Sequence, residues 1–236
     1  MRVEEAQNRH ADIQQADVGR WIAIKDAIKH LAEETTELGI LAEDAFKNAA
    51  AALYGPEADA AYIAIENHHI CMQSWQSIHQ VSLDLLSRSA GQPDCMRQVI
   101  ELQRIAPEFL RVAEDARAIA EHALALGGRG EMYLRRADPD AAGLFLEVVR
   151  QAYIQVRGCV IAATTHDTAI ARRLIVEDGE LDRLFLTIKG VLERAIVEES
   201  RLAGAFHRLL LVSVQLENIG NHVVAICDTL LFNSGS

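Results

Sequence analysis

The chain has 236 residues, half of them hydrophobic, with four prolines and a formal net charge of −11. Heavy use of Ala, Leu, Glu and Arg with so little Pro favours helix. The absence of a basic stripe excludes nucleic acid and anionic membrane surfaces as partners, because both need clustered Lys and Arg. A basic partner surface or bound cations suit the charge better.

Residues 1–16 are polar and predict a flexible leader. From Val18 an apolar stripe at helical spacing runs through Trp21, Ile24, Ile28, Leu31, Leu38 and Ala45 to Leu53, and Tyr54-Gly55-Pro56 ends it. A second helix is expected from Glu57 to Leu86, through Ile63, Ile70, Trp75, Ile78 and Leu85. The turn Ser89-Ala90-Gly91-Gln92-Pro93 precedes a third, with Asp94 as its cap and Pro107 as a kink, reaching Leu126. Gly127-Gly128-Arg129-Gly130 and Asp138-Pro139 bracket a linker over 128–138. The glycines lack the Gly-Lys-Ser/Thr ending of a phosphate-binding loop, so they read as a helix stop. Three more helices follow: Pro139–Thr165, Asp167–Glu198 capped by Asp167, and Ser200–Phe232 capped by Ser200. Helices of about 30 residues are rods near 45 Å. The expectation is an all-α protein of two tandem antiparallel three-helix bundles, residues 17–127 and 139–236.

Cys71, Cys95, Cys159 and Cys227 form no C-x-x-C pair and read as buried thiols of a reducing compartment. No apolar run reaches the length of about 18 residues needed to span a membrane; near the end the longest is Leu209–Val214. The first residues carry no signal-peptide core. A cytoplasmic protein without direct membrane insertion is expected.

The halves repeat. Leu110–Ile119 lies under Leu216–Ala225, and Glu66–Cys71 under Glu177–Asp182. In the last helix Leu216, Ile219, Val223, Ile226 and Leu230 make an apolar face, and mid-helix Gly220 marks the close approach of a neighbour. Asp178 and Asp182, like Glu217 and Asn221, are four apart and share a helix face. In the first half the aligned set is Asn67, Cys71, Arg111 and Asp115, where Arg111 destroys a carboxylate cage and pairs with Asp115 instead. His222 lies about 100° round the helix from Asn221 and is disfavoured as a ligand. His68 with Cys71 has zinc-ligand spacing without a second pair nearby. Glu66-x-x-His69 is half a di-iron motif without its other half. No nucleophile motif stands in the chain, which reads as a non-enzyme.

Leu216-Glu217-Asn218-Ile219-Gly220-Asn221, Asp178-Gly179-Glu180-Leu181-Asp182 and Gln92-Pro93 with Met96-Arg97 resemble, in order and spacing, the motifs of the PhoU family of phosphate-uptake regulators. Asn221 stands where that family has Asp, and Cys95 where it has an acid. The resemblance covers about Trp21 to Phe232. It implies tandem three-helix bundles and negative regulation of phosphate transport and phosphate-starvation signalling. The implied role is an adaptor between the ATPase of a phosphate ABC transporter and a sensor histidine kinase. It also implies a metal set at Asp178, Asp182, Glu217 and Asn221 for Mg, Mn or Fe, since facing carboxylates repel unless a hard cation bridges them. The alternative for those residues is solvated charge. The alternative for the whole chain is a divergent metal-binding bundle serving another pathway. A third reading is a dimerisation module, a homodimer joined by an apolar seam.

Overall fold

A computed structural model describes the backbone of residues 2–55 and 58–234, with side chains from Trp21 to Gly55 and from Ala58 to Phe232. Among the described residues seven α-helices follow one another: α1 Arg2–Tyr54, α2 Asp59–Arg88, α3 Pro93–Leu126, α4 Gly130–Ala137, α5 Ala141–Thr165, α6 Thr168–Glu198 and α7 Ala203–Ser234. No strand occurs among the described residues. Helices α1, α2 and α3 pack on one another, as do α5, α6 and α7. The two bundles join through α3 against α7 and α1 against α5. The predicted all-α tandem bundle is the observed architecture. The leader predicted over 1–16 lies outside the residues whose side chains are described, and its backbone from Arg2 belongs to α1. Pro56, placed by the sequence in the first turn, also lies outside the described residues.

Phe46, Phe109, Phe145 and Phe206 are fully buried, one aromatic anchor on each of the four helices that join the bundles. Burying side chains of this size contributes roughly 1.5–3 kcal/mol each. Pro107 does not end α3, which runs on to Leu126. There Gly127, at φ 61° in the left-handed region, closes the helix with its N–H on the Leu124 carbonyl. The stretch Ser200–Phe232 is the one described segment long and apolar enough to cross a membrane, with mean hydropathy 1.4, which the count of consecutive apolar residues missed. Its apolar side chains Leu209, Val212, Leu216, Ile219, Val223 and Ile226 are buried in the protein core.

Three local expectations are corrected. The predicted linker contains a helix of its own, α4, which places Arg136 against Glu199 at 2.7 Å. Asp94 is not a cap: Gln92 holds that position and Pro93 takes the first helical turn, its fixed φ doing the work of initiation. Ser200 sits inside a 3₁₀ turn, Ser200–Leu202, and caps nothing. Asp167 does cap α6, accepting from Ala169 N at 2.8 Å and Ile170 N at 3.1 Å.

The repeat is real, but its register differs from the one read by matching polar letters. Ala61, Ala64, Cys71, Ile78, Ser82 and Leu85 are buried along α2; Ala171, Leu174, Leu181, Ile188, Leu192 and Ala195 are buried along α6 with identical spacing. Phe109, Val112, Ala113, Ala116 and Ile119 of α3 match Leu216, Ile219, Gly220, Val223 and Ile226 of α7 in the same way. Leu38, Ala42, Phe46 and Ala49 of α1 match Val148, Ala152, Val156 and Cys159 of α5. Both carboxylate-bearing helices therefore shift by one residue. The first-half counterparts of Asp178, Asp182, Glu217 and Asn221 are His68, Met72, Leu110 and Glu114, not Asn67, Cys71, Arg111 and Asp115.

Replacing Asp167 by Ala should lower unfolding stability by about 1 kcal/mol, the usual value of a side-chain cap. Ser200→Ala should stay within about 0.5 kcal/mol of the parent. Urea unfolding followed by circular dichroism compares the two.

Candidate functional site

Gly220 sits in the buried face of α7. A Cβ built on it would lie 2.7 Å from Asp178 Oδ1, 3.0 Å from Leu181 Cδ2 and 3.6 Å from Gln155 Oε1. The missing side chain is what lets α6 approach, as the sequence indicated. It also lets the Asp178 carboxylate lie over the α7 backbone. Asp178 is half-buried, and burial together with the charges of Asp182 and Glu217 pushes its pKa up to about 6. Asp182 is exposed. Asn221 is exposed too, and its Nδ2 donates to Glu217 Oε1 at 2.9 Å.

The four residues singled out in the sequence thus share one neighbourhood without sharing one point. Among the described residues, no three His, Cys, Asp or Glu side chains come close enough to hold an ion between them. A cation resting on Asp178 and Glu217 would need a neutral oxygen to complete its shell. The sequence reading overlooked the residue that offers one, Gln155. It is a polar side chain on the core face of α5, between Ala152 and Cys159, and that misplaced polarity was its signal.

His222 has the clearest role of any titratable group. Its Nδ1 is 2.9 Å from Glu108 Oε2 and its Nε2 is 3.4 Å from Asp115 Oδ2, both on α3 of the other bundle. In the corrected register Asp115 and His222 are counterparts, so equivalent positions of the two halves meet here. The two carboxylates outweigh burial and raise the His222 pKa to about 9. His222 in turn holds Glu108 below the usual carboxylate range. Arg111 pairs with Glu108 at 2.7 Å rather than with Asp115, which overturns the pairing expected from the sequence; the i,i+4 neighbour is already turned toward α7. Two further polar links tie the bundles. Tyr153 Oη lies 3.0 Å from Glu43 Oε1, and His166, the left-handed residue (φ 51°) ending α5, lies 3.4 Å from the buried Glu101.

The surroundings of His68 and Cys71 disfavour a metal site. Cys71 is buried, its thiol pushed up to about 12 by desolvation, and His68 is held below the ordinary imidazole value by burial and by Arg117. Burial disfavours the thiolate that zinc requires. Cys159 lies buried beside Cys227, which raises its pKa, and both are free thiols.

A tandem pair of three-helix bundles with acids on the face of the second is the class of protein these features define. The PhoU domain family matches residues 145–230. A Rhizobium meliloti (strain 1021) protein named phosphate-specific transport system accessory protein PhoU homolog is 21% identical over 211 residues, 89% of this chain and 86% of that one. The crystal structure of PhoU from Pseudomonas aeruginosa superposes with a TM-score of 0.82 at 19% identity, over 90% of this chain and 99% of that one. The structure of the phosphate transport system regulatory protein PhoU from Streptococcus pneumoniae gives 0.76 at 17% identity, over 90% and 98%. The comparisons agree with the resemblance carried by the sequence motifs: a PhoU domain matches within the second bundle, and the similar curated protein and solved structures are PhoU proteins.

Two outcomes test this geometry. Gly220→Ala should destabilise by about 1–3 kcal/mol, the usual cost of overpacking, because its Cβ collides with Asp178 and Leu181; calorimetry measures it. For His222 the folded pKa, about 9, lies above the unfolded value near 6.5. Its stabilisation is therefore complete below about pH 6.5 and disappears as pH rises toward 9. The stability gap between the parent and His222→Gln should narrow steadily across that window in denaturant titrations.

Proposed function

We propose that this chain regulates phosphate transport and phosphate-starvation signalling from the cytoplasm, without catalysing a reaction. On this reading it docks on the ATPase of a phosphate ABC transporter and on a sensor histidine kinase, and biases their conformations by binding. The observation that carries the reading is full-length likeness: both bundles are kept, over about nine-tenths of the chain, in common with proteins named for phosphate transport. The net charge of −11 suits basic docking faces, and complementary charge speeds and orients encounter.

A second reading concerns the acidic face of the second bundle. Asp178 is a half-buried carboxyl crowded by Asp182 and Glu217, with no basic side chain among the groups that shift its pKa. A hard divalent cation such as Mg²⁺ or Mn²⁺ would relieve that repulsion. Bound there, it would brace α6 against α7.

Deleting the gene should raise phosphate uptake in cells grown in ample phosphate, and tagged protein should recover a phosphate transporter ATPase or a sensor kinase in amounts that change with phosphate. Unchanged uptake, together with recovery of neither partner, would overturn the regulator reading. For the cation, Mn²⁺ added to metal-free protein should raise Tm, and Asp178→Asn should abolish the rise.

A further inference from the structure

Among the long helices α6 packs chiefly on α5 and α7, which leaves its outward face open. Val176, Leu186 and Val197 stand on that face 79%, 62% and 82% exposed. Arg172, Arg183 and Arg194 recur beside them every eleven residues, a spacing that returns to the same side of a helix within about 20°. Gly179 and Gly190 keep the same interval on the same side, and a Cβ on either would meet nothing within 4 Å. Glycine inside a helix weakens it relative to alanine. At Gly220 the approach of α6 explains the residue; at Gly179 and Gly190 no contact within the chain does. Among the described residues Arg172 and Arg194 have no ion-pair partner, and the ion pair of Arg183 is with its own neighbour Glu180. The matching positions of α2 hold Glu66, His69, Gln73, Gln80 and Asp84, an ordinary polar face.

We propose that two copies of the chain pair through this face, α6 lying antiparallel on α6 about a two-fold axis near its midpoint. The face is complementary to its own reverse. Laying Gly179 against Gly190 of the second copy puts Arg172 opposite Val197, Val176 opposite Arg194 and Arg183 opposite Leu186. Each pairing occurs twice, as an isologous interface requires. The facing glycines let the two backbones approach closely, and each arginine stem lies along an aliphatic side chain with its charge at the rim. The axis brings like flanks together. On one flank Arg173 meets Glu198 of the second copy, and on the other Asp182 meets Lys189, opposite charges in both cases. The contact runs from residue 172 to residue 197, about 38 Å of helix. A parallel pair would instead set arginine against arginine and valine against valine at every level, which like-charge repulsion disfavours.

The test is sedimentation velocity on the full-length protein over a concentration series, in which the parent should dimerise reversibly. Replacing Gly179 and Gly190 together by Gln should weaken dimerisation about tenfold or more, the order of cost of overpacking a close contact. The same variant should raise Tm at concentrations where both proteins are monomeric, because a better helix former enters open space. A short bismaleimide then reads the register. Positions 179 and 190 are about 16.5 Å apart along one helix, beyond the span of such a linker, so only a second copy can join them. The chain carrying both Gly179→Cys and Gly190→Cys should be crosslinked to a dimer, while the four native cysteines stay buried and unreactive. Either substitution alone should give little crosslinked dimer, and so should the matching α2 pair, His69→Cys with Gln80→Cys. A parent that stays monomeric throughout the series, or a dimer that the two Gln substitutions leave intact, would overturn the proposal. Crosslinking of Gly179→Cys alone as complete as that of the pair would mean a parallel contact and would overturn it as well.

Discussion

Helices α3 and α7 each pack against both other helices of their own bundle and against each other. Neighbours on three sides leave α7 little surface for water, and its sequence is apolar nearly all round, whereas α3 keeps an exposed charged face with Arg97, Arg104, Arg111 and Glu114. That is why α7 has the hydropathy of a membrane span while its large side chains fill a protein core. It also explains where the bundles are fastened. Polar groups on the mutual faces of α3 and α7 cannot reach bulk water freely, so they must find partners across the seam. His222 finds Glu108 and Asp115, a charged clasp across the seam between these helices. A protonated imidazole between two carboxylates neutralises charge that would otherwise push the bundles apart.

The helices were legible because apolar spacing near 3.6 is a local signal, repeated over thirty residues at a time. Element ends were less so. At Pro93 the fixed φ of proline competes with Asp94 for the start of α3 and wins, because Asp94 already lies inside the first turn. The eight residues of α4 are too few to show a period, and glycines at Gly127, Gly128 and Gly130 disguise them as linker. The repeat was visible, yet matching Glu-Asn-His-His with Glu-Asp-Gly-Glu aligned surface letters. Side chains at the surface are free to drift, whereas core spacing is constrained by packing. One residue of slip is 100° of helix rotation, enough to exchange Asn67 for His68 as the partner of Asp178.

The carboxylates were found for the same local reason: residues four apart share a face. What sequence could not convey was which side chains of other helices meet them. Glu108 and His222 are more than a hundred residues apart, and only the packing of α3 on α7 joins them. Gln155 reaches Gly220 from α5, and Tyr153 reaches Glu43 from one bundle to the other. Gly220 is the exception. A mid-helix glycine is costly enough that a close neighbour could be inferred, though not that the neighbour would be a carboxylate.

The corrected register makes the two halves comparable position by position, and three of their differences meet in one place. Where the first bundle has Ala45, His68 and Ala113, the second has Gln155, Asp178 and Gly220. In the first, a buried imidazole stands between the helices, its pKa lowered by burial. In the second, the glycine removes a side chain, the amide adds an oxygen, and the acid adds a charge. These are three changes in one direction, toward a close, polar contact between α6 and α7. A core drifting neutrally would trade volume for volume. The second bundle has instead exchanged packing for polarity at the point where its three helices meet.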